Sequence, residues 1–214
     1  MKTVDLTPTE TNFFLPVAHI LAAYNGVSNR EARYYLEGVY VERQIDSSVV
    51  TVSTDGKILI RQFAPDGAHM GAACATQSTD HDSGFLLKLD TTEKALKAKA
   101  SDLWVKGDTE TGILEAFDKD HKGEGNPPRL GVCEFSTIDG TFPDYRRLLL
   151  LSEGGTSQVP VSICPHLTTR LIKTGTVFAK DFTMRYDAKA EGDPIRVTFS
   201  GADHMLALIM PKRF

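Results

Sequence analysis

Apolar residues near the N-terminus recur with the period of an α-helix. Four of them fall at positions i, i+3, i+4 and i+7 and therefore share one face: Val17, Ile20, Leu21 and Tyr24. Pro16 lies in the first turn of this segment, where backbone N–H groups have no helical partner. The Asn25-Gly26 pair is a common helix end. The pattern predicts a helix from about Phe13 to Tyr24.

Short apolar stretches bounded by turn residues follow this helix and predict β-strands. We place the strands at about 33–44, 49–54 and 57–63. The Ser-Thr-Asp-Gly stretch between the last two strands predicts a tight hairpin turn. The small, polar and Gly-rich stretch at 65–84 predicts a long loop.

The order of one helix and several strands recurs twice more along the chain. The second unit predicts a strand at 84–90, a helix at 91–104 and strands at about 103–106, 111–118 and 129–137. The third unit predicts a strand at 159–164, a helix at 165–175 and strands within 177–188, 193–201 and 205–211. Between these units, residues 139–155 read as a connector. Single helices that recur among strands at intervals of about 70 residues indicate repeats in an α+β fold.

Composition narrows the class of protein. The chain has 214 residues, of which 41% are hydrophobic and 24% charged, a profile typical of a globular protein with a sizeable core. Neither a signal peptide nor an apolar run long enough to span a membrane is evident, so we expect no membrane partner. Three widely spaced cysteines without a C-x-x-C pair argue against a zinc site or a disulfide framework and favour the cytoplasm. The net charge of −4 argues against a wholly basic surface but permits a local one.

Candidate catalytic or metal-binding residues do not form a recognisable pattern. His69 and residues 80–82 could approach a metal, but contiguous ligands on a loop are poor ligands without a rigid surrounding shell, so we interpret them as a polar loop tip. Cys164 lies at the start of a predicted helix, but the sequence indicates no base that could activate its thiol. We therefore interpret Cys164 as a structural cysteine. His19 and His166 are single helical residues. We therefore expect no catalytic residue, no metal and no cofactor.

Four stretches resemble the bacterial DNA polymerase III beta sliding clamp family. ARYYLEGVYVE and VVTVSTDGKILI resemble parts of the clamp's middle domain, GTFPDYRRLL its linker to the last domain, and ALIMPKRF its C-terminal tail. They occur in the family's chain order. The sequence departs from the family at Lys57-Ile58, where clamps have His-Arg, and at Lys212, where they have Met. The resemblance implies an α+β DNA-clamp (processivity) fold, with repeats of one helix packed on antiparallel strands.

The resemblance also implies a domain organisation. Residues 1–150 would form a clamp domain like the middle one, with repeats at 1–70 and 84–140 and the connector at 139–155. Residues 156–214 would form a half domain like the C-terminal half of the last clamp domain. This organisation is that of a truncated or phage-type clamp, and the sequence leaves open whether the chain is a fragment.

A hydrophobic groove for the clamp-binding peptides of polymerases and clamp loaders is a further implication of the resemblance. Carried over by position, its residues are Leu36, Thr54, Gly56, Leu59, Pro143, Arg147, Leu148, Leu208, Met210 and Pro211. Four residues would stand around it: Arg33, Tyr34, Tyr35 and Tyr145. Taken singly, aromatic residues on strands are usually core residues or cross-strand pairs. The prediction of a peptide-binding groove rests on the four motifs taken together.

Helices of the family face duplex DNA, where contact is electrostatic and independent of sequence. Basic residues at helical spacing occur on the second predicted helix at Lys94, Lys97 and Lys99, and on the third at Arg170 and Lys173, with His166 beside them. A solvated helix face without a ligand is the plainer interpretation of such a pattern.

We therefore expect a non-catalytic, sliding-clamp-like protein that tethers replication or repair partners to double-stranded DNA. Exposed sheet edges predict a homo-oligomer, which could close a ring. The alternative is a ringless adaptor or competitor that binds clamp-binding peptides without encircling DNA.

Overall fold

The computed structural model describes residues 2–28, 31–78, 82–89, 103–153 and 162–210. The helix predicted at 91–104 falls almost entirely outside these ranges, together with Lys94, Lys97 and Lys99. Pro211 and the loop-tip residues 80–81 also lie outside them. Within the described part of the chain, no helix is long and apolar enough to cross a membrane.

Strands make up most of the regular secondary structure among the described residues. The α-helices are α1 (Val17–Tyr24), α2 (Arg146–Ser152) and α3 (Pro165–Gly175). The strands are β1 (Asn12–Pro16), β2 (Val39–Gln44), β3 (Val49–Thr54), β4 (Ile58–Phe63), β5 (His69–Met70), β6 (Gln77–Ser78), β7 (Asp82–Leu89), β8 (Leu103–Asp108), β9 (Ile113–Asp118), β10 (Gly131–Ile138), β11 (Met184–Asp187), β12 (Ile195–Phe199) and β13 (Met205–Ile209).

The strands form one continuous antiparallel sheet in the order β11-β12-β13-β4-β3-β2-β7-β10-β9-β8-β1-β5, with β6 beside β7. Strand β10 joins its two parts, because residues 131–134 pair with β9 and residues 135–138 pair with β7. Near the other end, β13 pairs with β4, and Ala207 lies opposite Ile60. The last described strand is therefore hydrogen-bonded to β4 of the β3–β4 hairpin.

Helices α1 and α3 lie side by side on one face of this sheet. All residues of α1 except Tyr24 are buried, which fits its almost wholly apolar sequence. On α3, Leu167 and Leu171 pack against Ile58 and Ile60 of β4. Leu59, between those two isoleucines, belongs to an apolar cluster on the opposite face, as expected for alternating side chains of a strand.

Two local predictions at the start of the chain were wrong. The helix predicted from Phe13 begins at Val17, because residues 12–16 form β1, which is buried and paired with β5 and β8. A segment that is apolar on every side has no unique period, so the helical pattern extended into the strand. The strand predicted from residue 33 begins at Val39, after a 3₁₀-helical segment at Glu31–Leu36.

Three other segments contain different structure from the prediction. The loop predicted at 65–84 contains β5, β6 and the start of β7. Residues 162–164 of the strand predicted at 159–164 are not in a strand, and the rest of that segment lies outside the described residues. The predicted connector contains α2.

Candidate peptide-binding groove

An apolar cluster lies between the sheet and the connector, on the face opposite α1 and α3. We call it the connector-side cluster. Its buried members are Leu36, Tyr40, Val50, Val52, Leu59, Leu86, Phe142, Tyr145 and Leu208, and its partly buried members are Tyr35, Ile138, Leu148, Leu149 and Met210. Half of the residues predicted for the groove therefore meet in one place, although they come from distant parts of the chain.

The cluster has a buried floor and a partly open rim. Leu36, Leu59 and Leu208 are buried and form the floor. Tyr35, Leu148 and Met210 are partly buried and stand above it. Beyond them, α2 exposes two further apolar side chains, Leu150 at 68% and Leu151 at 51%. Because exposed apolar side chains of this size gain free energy when they are covered, the rim can accept apolar groups from a partner.

A buried carboxylate holds the connector against the sheet. Glu42 of β2 is fully buried. It accepts a hydrogen bond from the Tyr145 hydroxyl and forms an ion pair with Arg146. Burial, followed by the charge of Glu42 and the hydrogen bond to it, raises the pKa of Tyr145, so its hydroxyl stays protonated and can donate. The connector thus enters α2 at a fixed position over the cluster.

Aromatic stacking and a glutamine side chain fix the preceding residues of the connector. The ring of Phe142 stacks on Tyr40, with 4.8 Å between centroids and 9° between planes. The side-chain oxygen of Gln77 accepts a hydrogen bond from the Phe142 N–H at 2.9 Å, and its amide nitrogen donates to the Gly140 carbonyl. Pro143, which follows, is exposed.

The β3–β4 turn contains two residues predicted for the groove, Thr54 and Gly56, and neither belongs to the connector-side cluster. The Thr54 hydroxyl donates to the Ile58 carbonyl at 2.7 Å and accepts from the Gly56 N–H at 3.1 Å. Gly56 has φ +84°, a conformation that favours glycine. The Met210 N–H donates to the Lys57 carbonyl at 2.8 Å, which attaches the end of β13 to this turn.

The remaining residues predicted around the groove have different degrees of exposure. Tyr34 is 54% exposed and meets the ring of Tyr35 edge-on, with 5.7 Å between centroids. Arg33 and Arg147 are exposed. Tyr145 was predicted to stand beside the groove, but it is buried beneath it and supports the connector.

Three residues of this site were not predicted from the sequence: Tyr40, Glu42 and Phe142. A carboxylate within the apolar strand that includes Val39 and Val41 was an available signal, because a charge at such a position needs a partner. Its partners, Tyr145 and Arg146, are more than a hundred residues away, and no local pattern identifies them.

The residues predicted to contact DNA on α3 differ in their availability. His166 and Lys173 are exposed. Arg170 instead binds within the protein: it forms an ion pair with Asp55 and donates to the backbone carbonyls of Asn25 at 2.5 Å and Val27 at 3.1 Å.

The fold as a whole is similar to that of solved bacterial DNA sliding clamps. The chain is similar to DNA polymerase III subunit beta from Pseudomonas aeruginosa at 16% identity and a TM-score of 0.58, with 100% of this chain and 69% of that chain covered. It is also similar to the beta subunit from Streptococcus pyogenes at 15% identity and a TM-score of 0.58, with 100% and 68% covered.

A sliding clamp from Pseudomonas aeruginosa bound to griselimycin is similar at 15% identity and a TM-score of 0.60, with 100% of this chain and 68% of that chain covered. No protein-family model and no curated protein matches the chain. The resemblance to beta clamps and the predicted α+β clamp fold are thus confirmed as a likeness of structure.

Proposed function

We propose that this protein is a sliding-clamp-like, non-catalytic factor that tethers replication or repair partners to double-stranded DNA. The observation that supports this function best is the connector-side cluster, whose partly buried rim gathers Tyr35, Leu148 and Met210 over an apolar floor. The clamp fold supports it independently.

The proposed occupant of the groove is a short linear peptide from a polymerase or clamp loader in the cytoplasm. Apolar side chains of the peptide would cover Leu148 and Met210, and the flexible thioether of Met210 would adapt to their shape. The similar Pseudomonas aeruginosa sliding clamp bound to griselimycin provides a precedent for ligand binding on this fold.

Titration calorimetry tests the groove. A peptide with a glutamine and a terminal Leu-Phe pair should bind with a Kd on the order of micromolar, since a few buried apolar anchors dominate such interfaces. Met210→Ala should weaken binding by about 1–2 kcal/mol. Leu130→Ala, which removes an exposed leucine that is not part of the cluster, should not. Absence of binding heat from several such peptides on folded protein would overturn the groove.

The proposed DNA contact is on the helix face of the sheet. Lys173 and His166 are its exposed residues on α3, and Lys94, Lys97 and Lys99 of the second predicted helix complete the proposal. Binding should be independent of sequence and fall steeply with salt. Arg170 stays in the proposal only as a support for this face, because its guanidinium already binds Asp55.

We also propose a homo-oligomer. Among the described strands, β11 and β5 lie at the two ends of the sheet, and unpaired strand edges favour pairing with another chain. Light scattering at micromolar concentration should show more than one copy per particle. A monomer would favour the second candidate function, a ringless adaptor or competitor, which the internal engagement of Arg170 also favours.

A further inference from the structure

A polar cleft of about 550 Å³ lies between the end of α1, the β3–β4 turn and α3. We call it the basic cleft. The charged and titratable residues that line it are Arg33, Asp55, Lys57, His166, Arg170 and Lys173. The connector-side cluster lies on the other face of the sheet. Two residues predicted for the groove, Arg33 and Gly56, line this cleft and are not part of that cluster.

The basic cleft carries excess positive charge. Asp55 is its single acidic lining residue among the described residues, and it is already paired with Arg170. The side chains of Arg33, Lys57 and Lys173 make no hydrogen bond or ion pair within the described part of the chain. Three uncompensated cations converge here, although the whole protein has a net charge of −4.

The cleft and the candidate groove share two segments of the chain. Arg33 precedes Leu36 in the same 3₁₀-helical segment, and Lys57 precedes Leu59 after the β3–β4 turn. A Cβ on Gly56 would lie 2.6 Å from Nη1 of Arg33, so the guanidinium passes directly over this turn. Arg33 and Lys57 of the cleft are therefore separated by only a few positions in the sequence from floor residues of the groove.

We propose that the basic cleft binds acidic residues that flank the apolar motif of a partner peptide seated in the groove. This inference rests on the proposed peptide-binding function. Arg33 and Lys57 favour a peptide over a nucleic acid, because they come from the segments that build the groove and not from the face of α3. Arg170, the cation most enclosed in the cleft, is already satisfied internally.

Fluorescence anisotropy with paired peptides tests the inference. The peptides share one apolar motif and carry either Asp-Asp or Ser-Ser as a flank, placed at each terminus in turn. At one terminus, the acidic flank should tighten binding about fivefold at low salt, the size expected for one or two exposed ion pairs. Lys57→Glu should remove most of this preference and leave the Ser-flanked affinity unchanged. Lys122→Glu, at an exposed lysine far from the cleft lining, should keep the preference.

The outcomes separate this inference from the proposed function. If the Ser-flanked peptide does not bind, the groove itself is wrong. If it binds but the acidic flank gives no advantage at either terminus, the cleft is not a peptide subsite. If Lys57→Glu weakens binding of a short mixed-sequence duplex and affects neither peptide, the cleft contacts nucleic-acid phosphates and the inference is overturned.

Discussion

The guanidinium of Arg170 on α3 forms an ion pair with the carboxylate of Asp55 in the β3–β4 turn, although 115 positions separate the two residues. The side chains are 14% and 17% exposed. Burial opposes ionisation of Asp55, but the hydrogen bond from Arg170 and those from the backbone N–H groups of Lys57 and Ile58 hold its pKa below the usual value. Arg170 therefore joins α3 to the β3–β4 turn and to the residues that follow α1.

Removal of this guanidinium should destabilise the protein. Arg170→Met removes the hydrogen bonds to Oδ2 of Asp55 and to the carbonyls of Asn25 and Val27, which should lower the free energy of unfolding by about 2–4 kcal/mol. Urea denaturation measures this change in the free energy of unfolding. Lys173→Met, an exposed cation on the same helix, is the matched control and should change stability by less than about 0.5 kcal/mol. Equal effects of the two substitutions would contradict the structural role of Arg170.

A buried histidine should make stability depend on pH. His19 of α1 has its Nε2 3.1 Å from the carbonyl of Phe63 on β4, and its ring packs against Phe178 and His204. Burial, and then the neighbouring His204, lower the pKa of His19 to about 4. Burial also lowers the pKa of His204, although Asp203 opposes that shift.

The direction of the pH dependence of stability follows from which state, folded or unfolded, binds the proton. Between the ordinary pKa of about 6.5 and the folded value, the unfolded chain binds a proton at position 19 and the folded protein does not. Stability should therefore fall as the pH is lowered through this window, by about 2 kcal/mol from pH 7.5 to pH 5. His19→Gln should reduce this slope in urea denaturation, whereas His121→Gln, at an exposed site, should not. An unchanged slope in His19→Gln would contradict the assignment.

The contact between Tyr145 and Glu42 should couple connector stability to peptide binding. Tyr145→Phe leaves a fully buried carboxylate with one donor fewer, which should cost about 1–3 kcal/mol in the free energy of unfolding. It should also weaken peptide binding, because the connector carries Leu148. Tyr186→Phe, at a partly buried tyrosine of β11 outside the connector-side cluster, is the matched control. Wild-type peptide affinity in Tyr145→Phe would show that the connector is positioned without this hydrogen bond.

Elements with strong local signals were predicted well from the sequence. Pro165 in the first turn and the inward-facing Leu167 and Leu171 predicted a helix at 165–175, and α3 occupies that range. The strand predicted at 49–54 coincides with β3. In each case the residues that define the element are neighbours in sequence, so the pattern contains the required information.

Contacts between distant residues were not predictable from such patterns. Helical spacing placed Arg170 in line with His166 and Lys173, but spacing contains no information about the acceptors on Asn25, Val27 and Asp55. The same holds for Glu42 and Tyr145. For the candidate groove, the resemblance to beta clamps supplied a long-range arrangement that local patterns do not contain. Seven of its predicted members meet in the connector-side cluster, namely Tyr35, Leu36, Leu59, Tyr145, Leu148, Leu208 and Met210.

Retention of a fluorescent peptide on circular DNA tests whether the protein links a groove-bound partner to DNA. The protein is incubated with nicked plasmid and a labelled groove peptide, and peptide that co-elutes with DNA in gel filtration is measured before and after the plasmid is cut. The peptide should be retained on the circle and released when the DNA is linearised. A peptide that binds the protein but does not co-elute with circular DNA would contradict the tether and leave the ringless adaptor.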